Sequence, residues 1–160
     1  MKGVVAYDSV YGNTKLVAEA IAEQIRSEGH EVELIALRDR GGVAPAGDFI
    51  FVGSPTRMGR MTKKAKEFVE ELDEEHWKSR PIVTFDTVGP LPEDEEKRKK
   101  WLSRIDKSAA TRMQELAMQR GLSVYQDALH VAVTGFKGPL APDALDMAKE
   151  FTHRFIATMR

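Results

Sequence analysis

Short apolar runs alternate along this chain with longer stretches in which apolar residues recur at helical spacing. Residues 3–7 read Gly-Val-Val-Ala-Tyr, an uncharged run typical of a strand buried on both faces. Residues 14–27 instead repeat their apolar positions every three or four residues, which predicts an amphipathic helix. Residues 31–37 alternate apolar and polar side chains, so we expect a half-exposed strand at the edge of a sheet.

The same pattern continues to the end of the chain. Strands are predicted at residues 3–7, 31–37, 48–52, 81–85 and 124–133. Helices are predicted at residues 14–27, 62–72, 109–120 and 144–159, with a further polar helical segment from residue 93 and with Ser108 as the N-cap of the helix at 109–120. This alternation predicts an α/β fold whose parallel sheet is covered by helices on both faces. Five strands favour the doubly wound order 2-1-3-4-5, and we expect residues 1–160 to form a single domain.

Composition excludes several classes of function. The chain has 160 residues, 24 basic and 25 acidic side chains, and no cysteine. A thiolate zinc site, an iron–sulfur cluster and a cysteine nucleophile are therefore excluded. The balanced charge argues against nucleic acid as a partner. No apolar run is long enough to span a membrane, and no signal-peptide core is evident near Met1, so we expect a cytoplasmic protein.

Ligands of doubly wound sheets bind beyond the carboxyl ends of the strands, where the strand order reverses. Residues 8–14, 53–61 and 86–90 follow the first, third and fourth predicted strands, and all three segments are rich in Gly, Ser and Thr. Any one of them is unremarkable alone. Together, at one edge of the sheet, they favour a bound small molecule.

The first of these segments has the chemistry of an anion site. Ser9 and Thr14 offer hydroxyls, Gly12 permits a tight backbone turn, and the amides of the next helix point towards the loop. An ordinary helix cap made by a Ser or Asn side chain is the alternative. The dinucleotide motif GxGxxG and the P-loop motif GxxxxGK[ST] are both absent.

These loops carry a resemblance to a known family. Ser9-Val10-Tyr11-Gly12-Asn13-Thr14 resembles the phosphate loop of flavodoxins, written T/S-x-T-G-N-T. Ser54-Pro55-Thr56-Arg57-Met58-Gly59 resembles the second loop of flavodoxin-like NAD(P)H:quinone oxidoreductases of the tryptophan-repressor-binding-protein type. Thr87-Val88-Gly89 resembles a shortened third flavin loop, and residues 135–140 are similar to a segment of flavodoxin-domain proteins. The element order of the whole chain agrees with this family.

The resemblance implies a flavodoxin-like fold with non-covalently bound FMN. The phosphate would bind residues 9–14, and the ring would lie between residues 55–59 and 86–89. Arg57 would then place its guanidinium near the electron-rich end of the ring. The implied cofactor-binding residues are Ser9, Val10, Tyr11, Gly12, Asn13, Thr14, Pro55, Thr56, Arg57, Met58, Gly59, Asp86, Thr87, Val88 and Gly89.

Three functions stay open at this point. The resemblance implies an electron carrier that acts with a redox partner protein or a small-molecule acceptor. The Thr56-Arg57-Met58-Gly59 sequence favours instead an NAD(P)H:quinone-type reductase. The third reading is a module that has lost FMN, because Met58 stands where relatives place a flavin-stacking aromatic residue and none lies between Asp86 and Glu93.

Charge is segregated within the neutral total. No acid lies between Ser54 and Lys66, a stretch that holds five bases, and such a region attracts a phosphorylated nicotinamide, an acidic substrate or an acidic partner. A solvated helix surface is the alternative. Residues 93–96 are acidic and residues 97–100 basic, a spacing that predicts a self-paired helix.

Trp101, Leu102 and Ile105 give the polar helix an apolar edge. This edge would dock on the body of the protein, cover the flavin or form an oligomer contact, so a homo-oligomer stays open. The four histidines stand apart, which excludes the common zinc-enzyme spacings and favours a structural role for His130.

Overall fold

A computed structural model describes residues 1–42, 44–90, 92–103 and 107–159. Five parallel strands form one sheet in the order β2-β1-β3-β4-β5, which confirms the predicted fold class. The strands are β1 (Lys2–Tyr7), β2 (Glu31–Ala36), β3 (Phe49–Pro55), β4 (Ile82–Val88) and β5 (Leu129–Ala132). The helices are α1 (Asn13–Ser27), α2 (Lys63–Glu71), α3 (Glu74–Trp77), α4 (Glu95–Leu102), α5 (Ala109–Gln119) and α6 (Ala144–Thr158).

The sheet is buried on both faces because side chains alternate along each strand. Val5 and Tyr7 of β1 belong to a core beneath α1 and α6, whereas Val4 and Ala6 belong to a core beneath α2 and α5. Trp77 is fully buried in the second core. The apolar runs of β1, β3 and β4 therefore reflect packing on two sides, as predicted.

β3 and β4 extend three residues beyond their predicted ends, through segments that the sequence indicated as loops. Gly53 pairs with Phe85 in the register of β3 and β4. A Cβ atom at Gly53 would lie 2.1 Å from the Phe85 ring, so the glycine gives the ring its space. Gly, Ser and Pro in residues 53–55 indicated a turn, but close packing and strand pairing decide the conformation.

β5 is shorter than predicted. Val124 makes only an isolated bridge to Ile82, and the continuous strand begins at Leu129. Between them the Gln114 side chain donates hydrogen bonds to the carbonyls of Tyr125 and Gln126. These two carbonyls therefore bond to α5, although the Tyr125 amide still donates to the Ile82 carbonyl of β4 at 2.9 Å.

The polar segment after residue 93 is divided into two helices, α4 and α5. α4 has no buried residue, whereas α5 buries Met113 and Ala117 against the sheet. Ile105, predicted to share an apolar edge with Trp101, lies outside the described residues. No helix in the described part of the chain is both long and apolar enough to cross a membrane.

Candidate functional site

A cleft of about 370 Å³ opens at the carboxyl edge of the sheet, where the order reverses between β1 and β3. This volume lies in the range of small-molecule sites. The lining comes from the loops after β1, β3, β4 and β5 and comprises Ser9, Val10, Tyr11, Asn13, Thr14, Pro55, Thr56, Arg57, Met58, Thr87, Gly89, Val133 and Phe136. The structure thus brings together eleven of the fifteen residues that the resemblance implied. The other four are Gly12, Gly59, Asp86 and Val88.

The loop after β1 leaves the first turn of α1 open. Gly12 precedes the helix with a φ of 94°, and its amide donates to Ser9 Oγ at 3.1 Å. No side chain caps α1, so the predicted alternative of a Ser or Asn cap is wrong. The first turn also contains no acid. Its free N–H groups and the positive end of the helix dipole therefore suit an anion.

The wall beneath that loop is made rigid by buried polar contacts. Asp8 is 1% exposed and accepts hydrogen bonds from its neighbour Ser9 N at 3.0 Å and from Arg38 Nε at 2.8 Å. Thr14 Oγ1 and Thr87 Oγ1 lie 2.9 Å apart in the interior. This hydrogen bond joins the start of α1 directly to the end of β4.

The loop after β3 forms a tight hairpin beside the cleft. Arg57 and Arg60 exchange two backbone hydrogen bonds at 2.9 and 3.0 Å. Met58 and Gly59 form the turn between them with φ values of 53° and 76°. Positive φ at both central residues is the geometry of a two-residue hairpin turn, and it leaves the Met58 side chain 100% exposed.

Asp86 does not face the cleft. Its fully buried carboxylate accepts hydrogen bonds from Ala110 N at 2.9 Å and pairs with His130 Nδ1 at 3.0 Å. Since residues 86–88 belong to β4, their side chains alternate: Thr87 points to the cleft and Asp86 to α5. His130 thus has the structural contact that the sequence favoured.

Sequence reasoning missed two lining residues in the loop after β5, Val133 and Phe136. The Phe136 and Tyr11 rings lie 5.7 Å apart at 56°. Asn13 Nδ2 donates to the Lys137 carbonyl at 3.2 Å, which holds this loop against α1. The resemblance places flavin-stacking aromatic residues at the position of Met58 and between Asp86 and Glu93, and neither segment includes the loop after β5. The position of Val133 and Phe136 could have identified them, because residues 133–140 follow β5, which ends at the same edge of the sheet as the other cleft loops.

A second hollow of about 330 Å³ adjoins the cleft and shares Thr56, Met58 and Gly89 with it. Val88, Gly59 and Trp101 belong to its lining. Trp101, part of the predicted apolar edge, therefore lies beside the cleft. Leu102, its neighbour, is exposed.

Comparison with known proteins places these features in a family. A family model described as "Flavodoxin domain" matches residues 4–160. The flavodoxin of Aquifex aeolicus (strain VF5) is 42% identical over 79 residues, which are 48% of this chain and 42% of that protein. The match therefore spans less than half the length of this curated relative.

Solved structures share the fold along nearly the whole chain. A flavodoxin from the domain Archaea superimposes with a TM-score of 0.74 at 22% identity, covering 99% of this chain and 98% of that one. Oxidised flavodoxin 1 from Bacillus cereus gives 0.72 at 20% identity, covering 98% of both chains. The flavodoxin WrbA-like protein from Agrobacterium tumefaciens gives 0.65 at 20% identity, covering 98% of this chain and 96% of that one.

At such identities the structural likeness shows the fold alone, so family membership depends on the sequence model. That model leaves out only the first three residues, and it includes every loop around the cleft. This chain therefore belongs to the flavodoxin domain family.

Proposed function

We propose that this chain is an electron-transfer protein that holds FMN non-covalently in the cleft. FMN is the cofactor of flavodoxins, the family to which the chain belongs. The observation that carries the proposal is the first turn of α1, which opens on the cleft without a side-chain cap or an acid. A phosphate is a suitable partner for such free N–H groups.

Residues 9–14 would hold the phosphate end of FMN, with backbone amides as the main donors. Ser9 Oγ already accepts the Gly12 amide, so its hydroxyl proton stays available to an anion. The Thr14 hydroxyl shares a hydrogen bond with Thr87 in which either oxygen can be the donor, so Thr14 positions the loop and, when Thr87 donates, can also offer its own proton to the anion. Residues 55–59 and the Thr87–Gly89 backbone would border the ring.

FMN, when bound, supplies one- and two-electron transfer chemistry. The chain's own residues set the surroundings of the ring. The Arg57 guanidinium stabilises negative charge at the cleft, and no carboxylate is among the described lining residues to oppose it. Tyr11 and Phe136 supply on one side of the cleft the aromatic surface that Met58 does not.

Reduction of a small molecule is a second candidate, favoured by the hollow beside the cleft. This hollow borders Trp101 and Met58 and has room for a planar acceptor. Steady-state oxidation of NADH or NADPH with 1,4-benzoquinone, measured without any partner protein, distinguishes the two functions. Turnover supports the reductase, whereas a flavin reduced only by a partner protein supports the carrier. We also propose that residues 1–160 form one domain; the cytoplasmic location and the oligomeric state stay predictions.

FMN titration of Gly12→Val tests the site. A valine at a φ of 94° is strained and displaces the loop, so we expect FMN binding to be lost. The fold should survive at a cost of about 1–3 kcal/mol, since a Cβ atom there meets nothing within 4 Å.

Gly121→Val is the matched control. Gly121 has a φ of 74° and equally open surroundings, but it follows α5 away from the cleft. We expect similar destabilisation with FMN affinity unchanged, measured by urea unfolding and by quenching of flavin fluorescence. Retained binding in Gly12→Val would contradict the phosphate-loop assignment, and no binding by the wild type would contradict the proposed function.

A further inference from the structure

Exposed apolar side chains stand on two sides of the cleft mouth, each beside a cation. Met58 is 100% exposed at the hairpin tip and follows Arg57. Phe136 is 72% exposed across the mouth, and the Nζ atom of the next residue, Lys137, lies 5.6 Å from the Tyr11 ring centroid. Large apolar side chains that are exposed around the mouth of a cleft, rather than scattered singly, are typical of an interaction surface.

Cations lie around Met58, Phe136 and Tyr11, which together we call the apolar centre of the cleft mouth. Lys107 lies close to the hairpin, because a Cβ atom at Gly59 would be 3.2 Å from its carbonyl oxygen. Arg112 Nε donates to the Gly59 carbonyl at 2.7 Å. The basic rim, as we define it, comprises the exposed residues Lys15, Arg57, Arg60, Lys63, Lys64, Lys66, Lys107, Arg112 and Lys137.

Acids are scarce at the same edge. Residues 9–15, 54–66, 107–112 and 133–142 contain none. Asp8 and Asp86, which border the cleft loops, are buried and paired with Arg38 and His130. Exposed Glu67 follows the basic stretch and pairs with Lys63 at 3.8 Å, which offsets one charge of the rim. Residues 93–100 hold equal numbers of acids and bases, and α6 begins with two exposed acids, Asp143 and Asp146. The edge therefore keeps a strong positive excess in a chain of net charge −1, so the rest of the molecule is negative.

We propose that the basic rim and its apolar centre dock an acidic partner protein at the cleft mouth. The proposal rests on the proposed function, since it identifies the partner side of the same site. An apolar core ringed by charged residues is the usual anatomy of a protein interface. The separation of charge orients the molecule during encounter, so the mouth meets a negative surface first.

An acidic protein fits this surface better than a phosphorylated nicotinamide or a nucleic acid does. A phosphorylated nicotinamide engages only a few cations, whereas the rim extends from α1 across the hairpin to α2 and α5. Nucleic acid would favour a basic molecule with a polar groove, but here the centre is apolar and the whole chain is slightly acidic.

Gold surfaces coated with carboxylate-terminated or trimethylammonium-terminated monolayers provide the probe. FMN-loaded protein is applied at low salt, and surface plasmon resonance measures retention. We expect retention on carboxylate only, and its loss as salt rises from about 0.01 M to about 0.1 M, where screening shortens from about 30 Å to about 10 Å. Voltammetry on the same surfaces measures electron transfer between the bound flavin and the gold, which should be faster on carboxylate.

The rim variant combines Arg60→Gln, Lys63→Gln and Lys64→Gln, none of which lines the cleft. The control variant combines Lys2→Gln, Arg26→Gln and Lys78→Gln, exposed positions at the opposite edge, with the same change of charge. We expect the rim variant to lose about tenfold in retention and the control less than twofold.

Equal losses in the two variants would overturn the proposal. The proposal would also be overturned if the rim variant lost affinity for NADPH while its retention on carboxylate stayed unchanged. Stronger retention of the protein on immobilised duplex DNA than on carboxylate would overturn it as well. If the wild type binds no FMN, the proposed function fails, but retention needs no flavin and still decides the docking surface.

Discussion

The hydroxyls of Thr14 and Thr87 meet 2.9 Å apart beneath the cleft, in surroundings where neither is more than 5% exposed. One hydroxyl donates and the other accepts, so each of these buried hydroxyls has a hydrogen-bond partner. This bond joins the start of α1 to the end of β4. It therefore fixes the distance between the loop proposed to hold the phosphate and the segment proposed to border the ring.

Thr14→Val and Thr87→Val test this bond by a double-mutant cycle. Each single change leaves one buried hydroxyl unpaired, so we expect a loss of about 1–2 kcal/mol in the free energy of unfolding. The double variant leaves no orphan hydroxyl and should lose less than the sum of the two. Urea unfolding measures all four proteins. Additive losses would mean that the two hydroxyls do not depend on each other.

The sequence predicted which residues surround the cleft better than where their side chains point. Ser9, Thr14 and Arg57 come from loops that end buried strands, and that position is visible in the pattern. Asp86 and Thr87 were predicted together, yet one faces α5 and the other the cleft. Their directions follow from the extension of β4 to Val88, which depends on pairing with β3 rather than on local composition.

At the scale of elements, α5 is anchored to the sheet by its first two amides. Ala109 N donates to Thr56 Oγ1 at 3.0 Å, and Ala110 N donates to Asp86 at 2.9 Å. Ser108 stands at the N-cap position, as the sequence predicted, but its side chain makes no cap bond and contacts His130 instead. A buried carboxylate at this end also meets the positive end of the helix dipole.

Asp86→Asn and Ser108→Ala compare the carboxylate that anchors α5 with the serine at its N-cap position. We expect Asp86→Asn to cost about 1–3 kcal/mol, because the lost charge weakens the bonds to both Ala110 and His130. Ser108→Ala removes a single side-chain contact and should cost less. Thermal unfolding of both variants shows which substitution destabilises the protein more. A larger loss in Ser108→Ala would assign the cap to the serine, as the sequence first indicated.

The order of the longer elements was predictable because the helices repeat their apolar positions every three or four residues, whereas the strands are short apolar or alternating runs. The four-residue α3 was not predicted. Residues 93–121 were the least predictable part, since charged side chains at helical spacing do not reveal whether a helix packs on anything. The length of β5 was overestimated because the apolar residues on both sides of Gln126 and Asp127 were taken as one strand. The Gln126 carbonyl instead bonds to Gln114, and the continuous strand begins at Leu129. In both segments, contacts with the rest of the fold decide the structure more than the local sequence does.

At the scale of the whole molecule, burial is concentrated in the centre of the sheet and lacking in α4. Every residue of β4 is buried, and so is all of β1 except Lys2. α4 has no buried residue, although its Trp101 borders the hollow beside the cleft. Segments with few buried contacts open at low free-energy cost, and segments at the core open only with global unfolding.

Hydrogen exchange followed by mass spectrometry measures this difference, with and without FMN. We expect amides of β1, β3 and β4 to exchange only through global unfolding, and those of α4 to open at a free energy near zero. FMN should slow exchange in residues 9–16, because it binds amides there and stabilises the native state, which also raises the protection of the strands. α4 exchanges by local opening, so its rate should stay unchanged unless the flavin contacts Trp101. Protection of α4 by FMN would therefore make this helix part of the cofactor site rather than a neighbour of it.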